Sequence, residues 1–190
     1  MERLTNNQAF RAAVLQYLPD LSPWPGVPKT GYPVKTAVGD DGDLKLGFPF
    51  SGPRFHAFED GTILDTVTCR MWVANPNLCG TPIAVDGIAA ELNWEDAINA
   101  CNDLNYAGHT DWRLPNIKEL MSLFFIMETG QHIDYNFFTV YNWYYWSSTT
   151  YHGDTLGAWC TEWIYGLSYI ATKEESHLLV LPVRGMPRYC

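Results

Sequence analysis

The side chains best suited to covalent chemistry lie close together in the C-terminal part of the chain. Cys160 follows His152 and Asp154, and a thiol beside an imidazole and a carboxylate is a set that cysteine nucleophiles use. We nevertheless expect no catalysis from these residues, because each falls at a position that we interpret below as part of a variable surface. His109 is likewise interpreted as structural.

The five cysteines bear on metal binding and on disulfides. No two have the C-x-x-C spacing typical of structural zinc, so no zinc site is expected. An odd number cannot form a closed disulfide framework, and we expect mostly reduced, buried thiols. A bridge between the first two is the alternative that the sequence leaves open. The cysteines are Cys69, Cys79, Cys101, Cys160 and Cys190.

The acidic segment Asp40-Asp41-Gly42-Asp43 is a candidate cation site. Calcium takes oxygen ligands from several directions, which one short segment does not supply by itself. We therefore predict a solvated turn and no cofactor, with a structural calcium ion as the alternative.

The size and charge of the chain narrow the classes of partner. Its 190 residues suit one domain with a core of its own. A net charge of −9 repels phosphate backbones and anionic membranes, so nucleic acid is not an expected partner. Residues 1–5 carry no apolar signal core, and no run reaches the ~20 apolar residues of a membrane span. We expect no membrane insertion, and presentation at a cell or virion surface would need another element.

The chain is predicted to divide into an N-terminal helix and linker, residues 1–26, and one ligand-binding domain, residues 27–190. Apolar residues at helical spacing predict a helix over residues 6–18, which Pro19 ends. Residues 19–53 are rich in Pro and Gly, which predicts ordered loops with one or two short strands. The N-terminal part could join the domain to a larger display or virion protein.

Strands are predicted near both ends of the domain. Asp60-Gly61, between two strand-like runs, predicts a β-hairpin whose inward side chains are Ile63, Val67 and Trp72. Further strands are predicted at residues 143–146, 158–164 and 178–183. Because strands and helices do not alternate as βαβ units, the fold class is α+β.

Two helices are predicted between these strands. Asn93 caps the first, and Asn116 with Glu119 forms a capping box for the second, which ends before Gly130. The buried stripe of the first is Trp94, Ala97, Ile98, Cys101 and Leu104. That of the second is Ile117, Leu120, Met121 and Phe124.

A series of short motifs, in order along residues 27–186, gives the chain a family resemblance. The two most specific are Asp111-Trp112-Arg113-Leu114-Pro115-Asn116 and Tyr145-Trp146-Ser147-Ser148-Thr149. The others include Val27-Pro28-Lys29-Thr30-Gly31, Leu92-Asn93-Trp94-Glu95-Asp96-Ala97, Ala158-Trp159 and Pro182-Val183-Arg184-Gly185. With these motifs the chain resembles the family named for the C-terminal domain of a collagen-like bacterial adhesin.

The resemblance implies a C-type-lectin-like fold of the formylglycine-generating-enzyme subtype, with two main helices, short antiparallel strands and long ordered loops. Arg113 stands just before a helix, where a planar guanidinium can tie loops together by bidentate bonds, and Arg184 can do the same near the end of the domain. The residues interpreted as structural scaffold are Trp94, Trp112, Arg113, Trp146, Trp159 and Arg184.

The segment between Tyr151 and Leu181 departs from the family pattern. Many members are rich in Asn, Gly and Tyr there, whereas this chain keeps a few anchors, such as Trp159 and Lys173, among residues of mixed chemistry. This resembles the target proteins of diversity-generating retroelements, in which an error-prone reverse transcriptase replaces adenines and converts Asn codons into many others. The resemblance implies a variable ligand-binding face of His152, Gly153, Asp154, Leu156, Cys160, Trp163, Tyr165, Leu167, Tyr169, Ala171, Glu175, Ser176, His177 and Leu178.

Some residues of this segment are expected to differ from the rest. Four residues do not arise from Asn codons by adenine replacement and would be fixed or come from other codons: Glu162, Trp163, Glu174 and Glu175. Strand alternation favours core positions for Ile164, Ile170 and Leu179.

Three functions compete. The first is a retroelement-diversified protein that binds a protein or a cell-surface glycan. The second is a fixed glycan-binding adhesin, in which Trp163 and Tyr165 would stack on sugar rings. The third is an enzyme similar to the formylglycine-generating enzymes, which bind copper through two cysteines. Only Cys160 stands in the comparable region, so we expect no enzyme.

Overall fold

A computed structural model of the chain describes residues 35–44, 53–124, 134–141 and 143–185. The predicted helix at residues 6–18, the linker that follows it and Gly130 lie outside these ranges, as does Cys190. The division into residues 1–26 and 27–190 therefore stays a prediction.

The acidic segment forms one helical turn, α1 (Asp41–Leu44). The Asp40 carboxylate accepts hydrogen bonds from Thr36 and Ala37, and the bonds from Thr36, which contribute most, lower the pKa of Asp40 to about 2. Asp43 pairs with Lys35 at 2.8 Å. The chain's own donors thus bind these two carboxylates.

The first sheet contains the predicted hairpin and the end of the domain. Its strands are β1 (Phe55–Ala57), β2 (Thr62–Asp65), β3 (Arg70–Val73) and β9 (Val183–Gly185), all antiparallel and in that order. Gly61 turns the chain between β1 and β2 with φ 84°, in the left-handed region that glycine adopts readily. Ile63, Val67 and Trp72 are buried as predicted.

A short excursion follows β3. It contains a 3₁₀ turn (Pro76–Leu78) and a small two-stranded sheet of β4 (Ala84–Val85) and β5 (Ile88–Ala89). The Asn75 side chain caps the 3₁₀ turn by accepting the N–H of Asn77.

The two helices begin where their caps predict. In α2 (Trp94–Asn102) Asn93 accepts the N–H of Asp96, and in α3 (Ile117–Ser122) the complete capping box of Asn116 and Glu119 is present. The stripe of α2 is as predicted, with Ala97, Cys101 and Leu104 buried and Trp94 and Ile98 half-buried.

The predicted stripe of α3 is wrong at one position. Met121 is 49% exposed, while Leu123 is fully buried. Leu123, the C-cap of α3, keeps right-handed helical backbone angles and follows Leu120 by three residues, so both side chains face the core.

The second sheet is three-stranded and antiparallel: β6 (Tyr144–Thr150), β7 (Gly157–Glu162) and β8 (Leu167–Thr172). The strands β6 and β7 were predicted with slightly different bounds, and β8 was not predicted. In place of the predicted strand at residues 178–183, single bridges at Leu178 and Leu179 precede β9.

The two main helices pack against the second sheet through two separate hydrophobic cores. The helix α2 contacts β6 in a cluster that includes Cys101, Trp146 and Cys160, and α3 contacts β6 and β7 in a cluster that includes Leu120, Tyr145 and Trp163. The described residues therefore form a mixed α+β fold with antiparallel strands and two main helices, as predicted.

Candidate ligand-binding surface

An ion-pair network centred on the nearly buried carboxylate of Glu119 holds the segment before α3 to the first sheet. Arg113 makes two hydrogen bonds to the Glu119 carboxylate, at 2.8 and 2.7 Å, and Arg70 of β3 makes a third at 2.8 Å. Burial alone would raise the pKa of Glu119, but the bonds from Arg113 and Arg70 outweigh it and bring the pKa to about 2. The predicted bidentate role of Arg113 is confirmed.

A second bidentate pair ties the end of the domain to the same loop. Arg184 of β9 donates to the two carboxylate oxygens of Asp111 at 2.6 and 3.1 Å, which confirms its predicted role. The Arg184 side chain is buried, whereas Asp111 is exposed.

The tryptophans of the scaffold join separate segments through their indole N–H groups. Trp94 donates to the Ser147 carbonyl of β6 at 2.8 Å, and Trp146 donates to the Leu92 carbonyl at 2.8 Å. Trp112, buried, donates to the Tyr106 carbonyl at 3.1 Å. These contacts fix the second sheet against α2. Trp159 is half-buried and meets the ring of Tyr151 edge-on, with centroids 5.7 Å apart.

Most residues of the predicted variable face lie on the surface of the second sheet and its loops. The exposed ones are His152, Gly153, Asp154, Leu156, Tyr165, Leu167, Tyr169, Glu175 and His177. Ala171, Ser176 and Leu178 are half-buried. Exposure is what a contact surface requires, but it assigns no ligand.

Two residues of the predicted face lie in the core instead. Cys160 and Trp163 are each 1% exposed. The thiol of Cys160 lies in the α2 cluster with Trp146, and the indole of Trp163 stacks on Tyr145 with ring centroids 4.3 Å apart and donates to Thr161 at 2.9 Å. A ligand on the surface cannot reach either side chain, so we remove both from the face.

Two isoleucines show the opposite error. Ile164 and Ile170, predicted as core residues, are both exposed, whereas Leu179 is buried as predicted. Ile164 lies in the turn between β7 and β8, beyond the strand alternation, and Ile170 lies on β8, which has a neighbour on one side only in the described sheet.

The exposed apolar residues gather where β7 turns into β8. Tyr144 pairs in register with Glu162, and Glu162 pairs with Leu167, so these three side chains share one face. The rings of Tyr144 and Tyr169 meet edge-on at 5.7 Å. We call this region the aromatic end; it consists of Trp143, Tyr144, Ile164, Tyr165, Leu167 and Tyr169.

The aromatic end is open to solvent although its members are large. Tyr165 is 64% exposed and Trp143 57%. Desolvation, together with Glu162 and the neighbouring hydroxyls of Tyr144 and Tyr165, raises the pKa of Tyr169. The sequence indicated Trp143 and Tyr144 only as strand residues, because their exposure depends on where the core below them ends.

Burial makes Cys160 and Cys79 poor nucleophiles at neutral pH. Burial raises the pKa of Cys160 to about 11 and that of Cys79 to about 12, and a thiol with such a pKa is not a thiolate at neutral pH. His152 and Asp154 are exposed on a loop, apart from the core that holds Cys160. Cys79 is a free thiol, so the open Cys69–Cys79 bridge does not form.

Two features of the described ranges bear on metal binding and on membrane crossing. There no group of three or more His, Cys, Asp and Glu side chains is arranged to hold a metal ion. No helix in those ranges has the length and apolarity needed to cross a bilayer.

Comparison with known proteins identifies the family. The Lcl C-terminal domain family matches residues 61–184, a range that runs from the turn glycine Gly61 to Arg184 and contains both main helices and the three-stranded sheet. No curated protein matches the chain. Since the match covers more than half of the 190 residues, this chain belongs to the Lcl C-terminal domain family.

Proposed function

We propose that this chain is a non-catalytic ligand-binding domain that contacts a protein or a cell-surface structure through the aromatic end and the adjoining loops. The observation that carries the proposal is the grouping of six large apolar or aromatic side chains, each at least 40% exposed, on one end of one sheet. Soluble proteins rarely leave such groups exposed unless they contact a partner.

The contacts beneath the aromatic end suit it for binding. The stacked Tyr145 and Trp163 rings lie under the turn that carries Tyr165, and the hydroxyl of Tyr145 accepts the N–H of Tyr141 at 3.0 Å. Tyrosine and tryptophan present large amphipathic areas and lose little rotamer entropy on binding. A surface held from below by a packed core can change its exposed side chains without changing the backbone.

We further propose that the exposed side chains of the segment are diversified by a retroelement on a C-type-lectin-like scaffold of the formylglycine-generating-enzyme subtype. The separation of roles within the segment supports this. Anchors such as Ala158 and Lys173 are buried or bonded, while the intervening His152, Asp154 and Tyr165 are exposed. Burial of Cys160 and Trp163 places them with the anchors, so adenine replacement should spare their codons.

A fixed glycan-binding adhesin is the second candidate. The exposed ring of Tyr165 favours it, since an aromatic face with a polar tip can stack on a sugar ring and bond its hydroxyls. Trp163, which the sequence assigned to the same task, is buried and cannot take part. In this case the binding residues would be constant among copies of the gene.

Sequencing the DNA beside the gene separates the two candidates. Diversification requires a reverse-transcriptase gene and a near-copy of the segment encoding residues 150–185 whose mismatches fall at adenines. The mismatches should cluster in codons for exposed residues and avoid those for Cys160 and Trp163. If no near-copy exists, the diversification proposal fails and the fixed adhesin takes its place.

A binding screen tests the surface itself. The purified chain would be applied to an array of glycans and cell-surface proteins, and any binding measured again for Tyr165→Ala. We expect this variant to lose most of the binding, while Leu78→Ala, which shortens an equally exposed side chain in the 3₁₀ turn after β3, keeps it. Equal binding by both variants would place the contact surface elsewhere.

A further inference from the structure

A groove of about 560 Å³ lies beside the N-terminal half of α2, apart from the aromatic end. One wall is the surface of the helix, and the other is the turn that follows β8. Its lining consists of Asn93, Trp94, Glu95, Ile98, Asn99, Lys173 and Glu174. None of these belongs to the predicted variable face.

The floor of the groove is apolar and fixed in place. Trp94 and Ile98 are one helical turn apart on α2, so their side chains share a face. The Trp94 backbone N–H donates to the Lys173 carbonyl at 3.1 Å, and its indole N–H donates to Ser147 at 2.8 Å. The floor is thereby joined to β6 and to the turn that follows β8.

The one cation of the groove is engaged on the inner side. The Lys173 ammonium lies 3.9 Å from the centroid of the Trp94 ring and donates to the Thr150 hydroxyl at 2.8 Å. A lysine held over an indole face and a hydroxyl is directed toward the sheet. The Lys173 ammonium therefore does not lie at the outer edge of the groove.

The outer edge is acidic. Glu95 and Glu174 line the two walls, and both are exposed. Against the single charge of Lys173 they leave the lining with a net charge of −1, from two carboxylates and one ammonium.

We infer that this groove receives a basic side chain, lysine or arginine, of a protein partner. Such a side chain has an apolar stem and a cationic tip, which match the Trp94–Ile98 floor and the Glu95–Glu174 edge in the same order from inside to outside. The two carboxylates would repel an anion. This inference does not depend on the diversification or on the aromatic end.

The experiment uses the whole chain and single amino-acid probes. Nitrogen-15 spectra would be recorded while Nα-acetyl-lysine amide, and in a separate titration Nα-acetyl-arginine amide, is added. The expected result is a saturable shift of the Trp94 indole N–H and of the Ile98 amide. The neutral Nα-acetyl-norleucine amide, which has the stem without the charge, should bind about tenfold more weakly, the size of effect expected for a hydrogen bond between charged groups.

Carboxylate variants supply the matched control. Glu174→Gln and Glu95→Gln should each weaken binding of the lysine probe by about threefold or more, as loss of one charged partner predicts. Glu175→Gln, which removes the same charge one residue outside the groove, should leave it nearly unchanged. The inference is overturned if no probe shifts the Trp94 indole, if the norleucine probe binds as tightly as the lysine probe, or if Glu175→Gln weakens binding as much as Glu174→Gln.

Discussion

Arg113 and Glu119 face each other across the first turn of α3 and share two parallel hydrogen bonds of 2.8 and 2.7 Å. The same carboxylate accepts the N–H of Asn116 at 2.9 Å and the guanidinium of Arg70 at 2.8 Å. One nearly buried carboxylate therefore joins a helix cap, the loop before it and β3 of the first sheet. The domain's stability should depend on this group and on its ionisation.

Replacement of Glu119 by Gln should destabilise the protein in a pH-dependent way. The folded pKa of about 2 lies below the ordinary 4.5, so the stabilisation is fully present above pH 4.5 and is lost as pH falls toward 2. A shift of this size corresponds to ~3 kcal/mol, which we reduce to about 2 kcal/mol because the two arginines are partly solvated. Urea unfolding of both proteins at pH 7 and pH 3 measures it, with Glu91→Gln as an exposed control. An equal difference at both pH values would contradict the assignment.

Trp163→Ala should lower the stability of the protein far more than Tyr165→Ala, although the two residues are only two positions apart. Loss of the buried indole removes its stack on Tyr145 and leaves a cavity, with a cost of about 3–5 kcal/mol. Tyr165 is exposed, and its truncation should change stability by no more than about 0.5 kcal/mol. Chemical denaturation of the two variants provides the comparison. A large loss from Tyr165→Ala would show that this side chain belongs to the core.

The thiols should differ in their reaction with iodoacetamide. Cys160 and Cys101 are buried, and burial raises the pKa of both, so neither should be alkylated in the folded protein near neutral pH. Both should react once urea unfolds the chain. Mass spectrometry of tryptic peptides before and after unfolding reads out each site. Rapid labelling of Cys160 in the native protein would contradict its burial and would indicate that this thiol can act as a nucleophile.

Arg184→Lys should destabilise the protein by about 1–2 kcal/mol, because a lysine ammonium cannot bond two carboxylate oxygens in parallel. The wild-type guanidinium spans both oxygens of Asp111 at 2.6 and 3.1 Å. Thermal unfolding of Arg184→Lys, Asp111→Asn and the double variant forms a cycle that isolates the pair. Strictly additive losses would mean that the two residues do not stabilise each other.

Local features of the fold were predictable because their causes lie within a few residues. The caps at Asn93 and Asn116 depend on a side chain reaching an N–H three residues on, and the hairpin at Asp60-Gly61 depends on a glycine with φ 84°. The bidentate hydrogen bonds of Arg113 and Arg184 follow from the planar shape of the guanidinium group. The partner of Arg184 did not follow, since Asp111 comes near it only when β9 pairs with β3 and with Arg113.

The sequence by itself determined the α+β class, the helix starts, the scaffold residues and the segment in which exposed residues gather. Only the tertiary structure decided which members of that segment face water. Cys160 is covered by the core that includes α2, and Trp163 is covered by the core that includes α3. Ile164 and Ile170 are exposed because one lies in a turn and the other on an outer strand, and neither has a covering neighbour in the described fold. Burial is a property of both surfaces in a contact, and a pattern along one strand specifies only one of them.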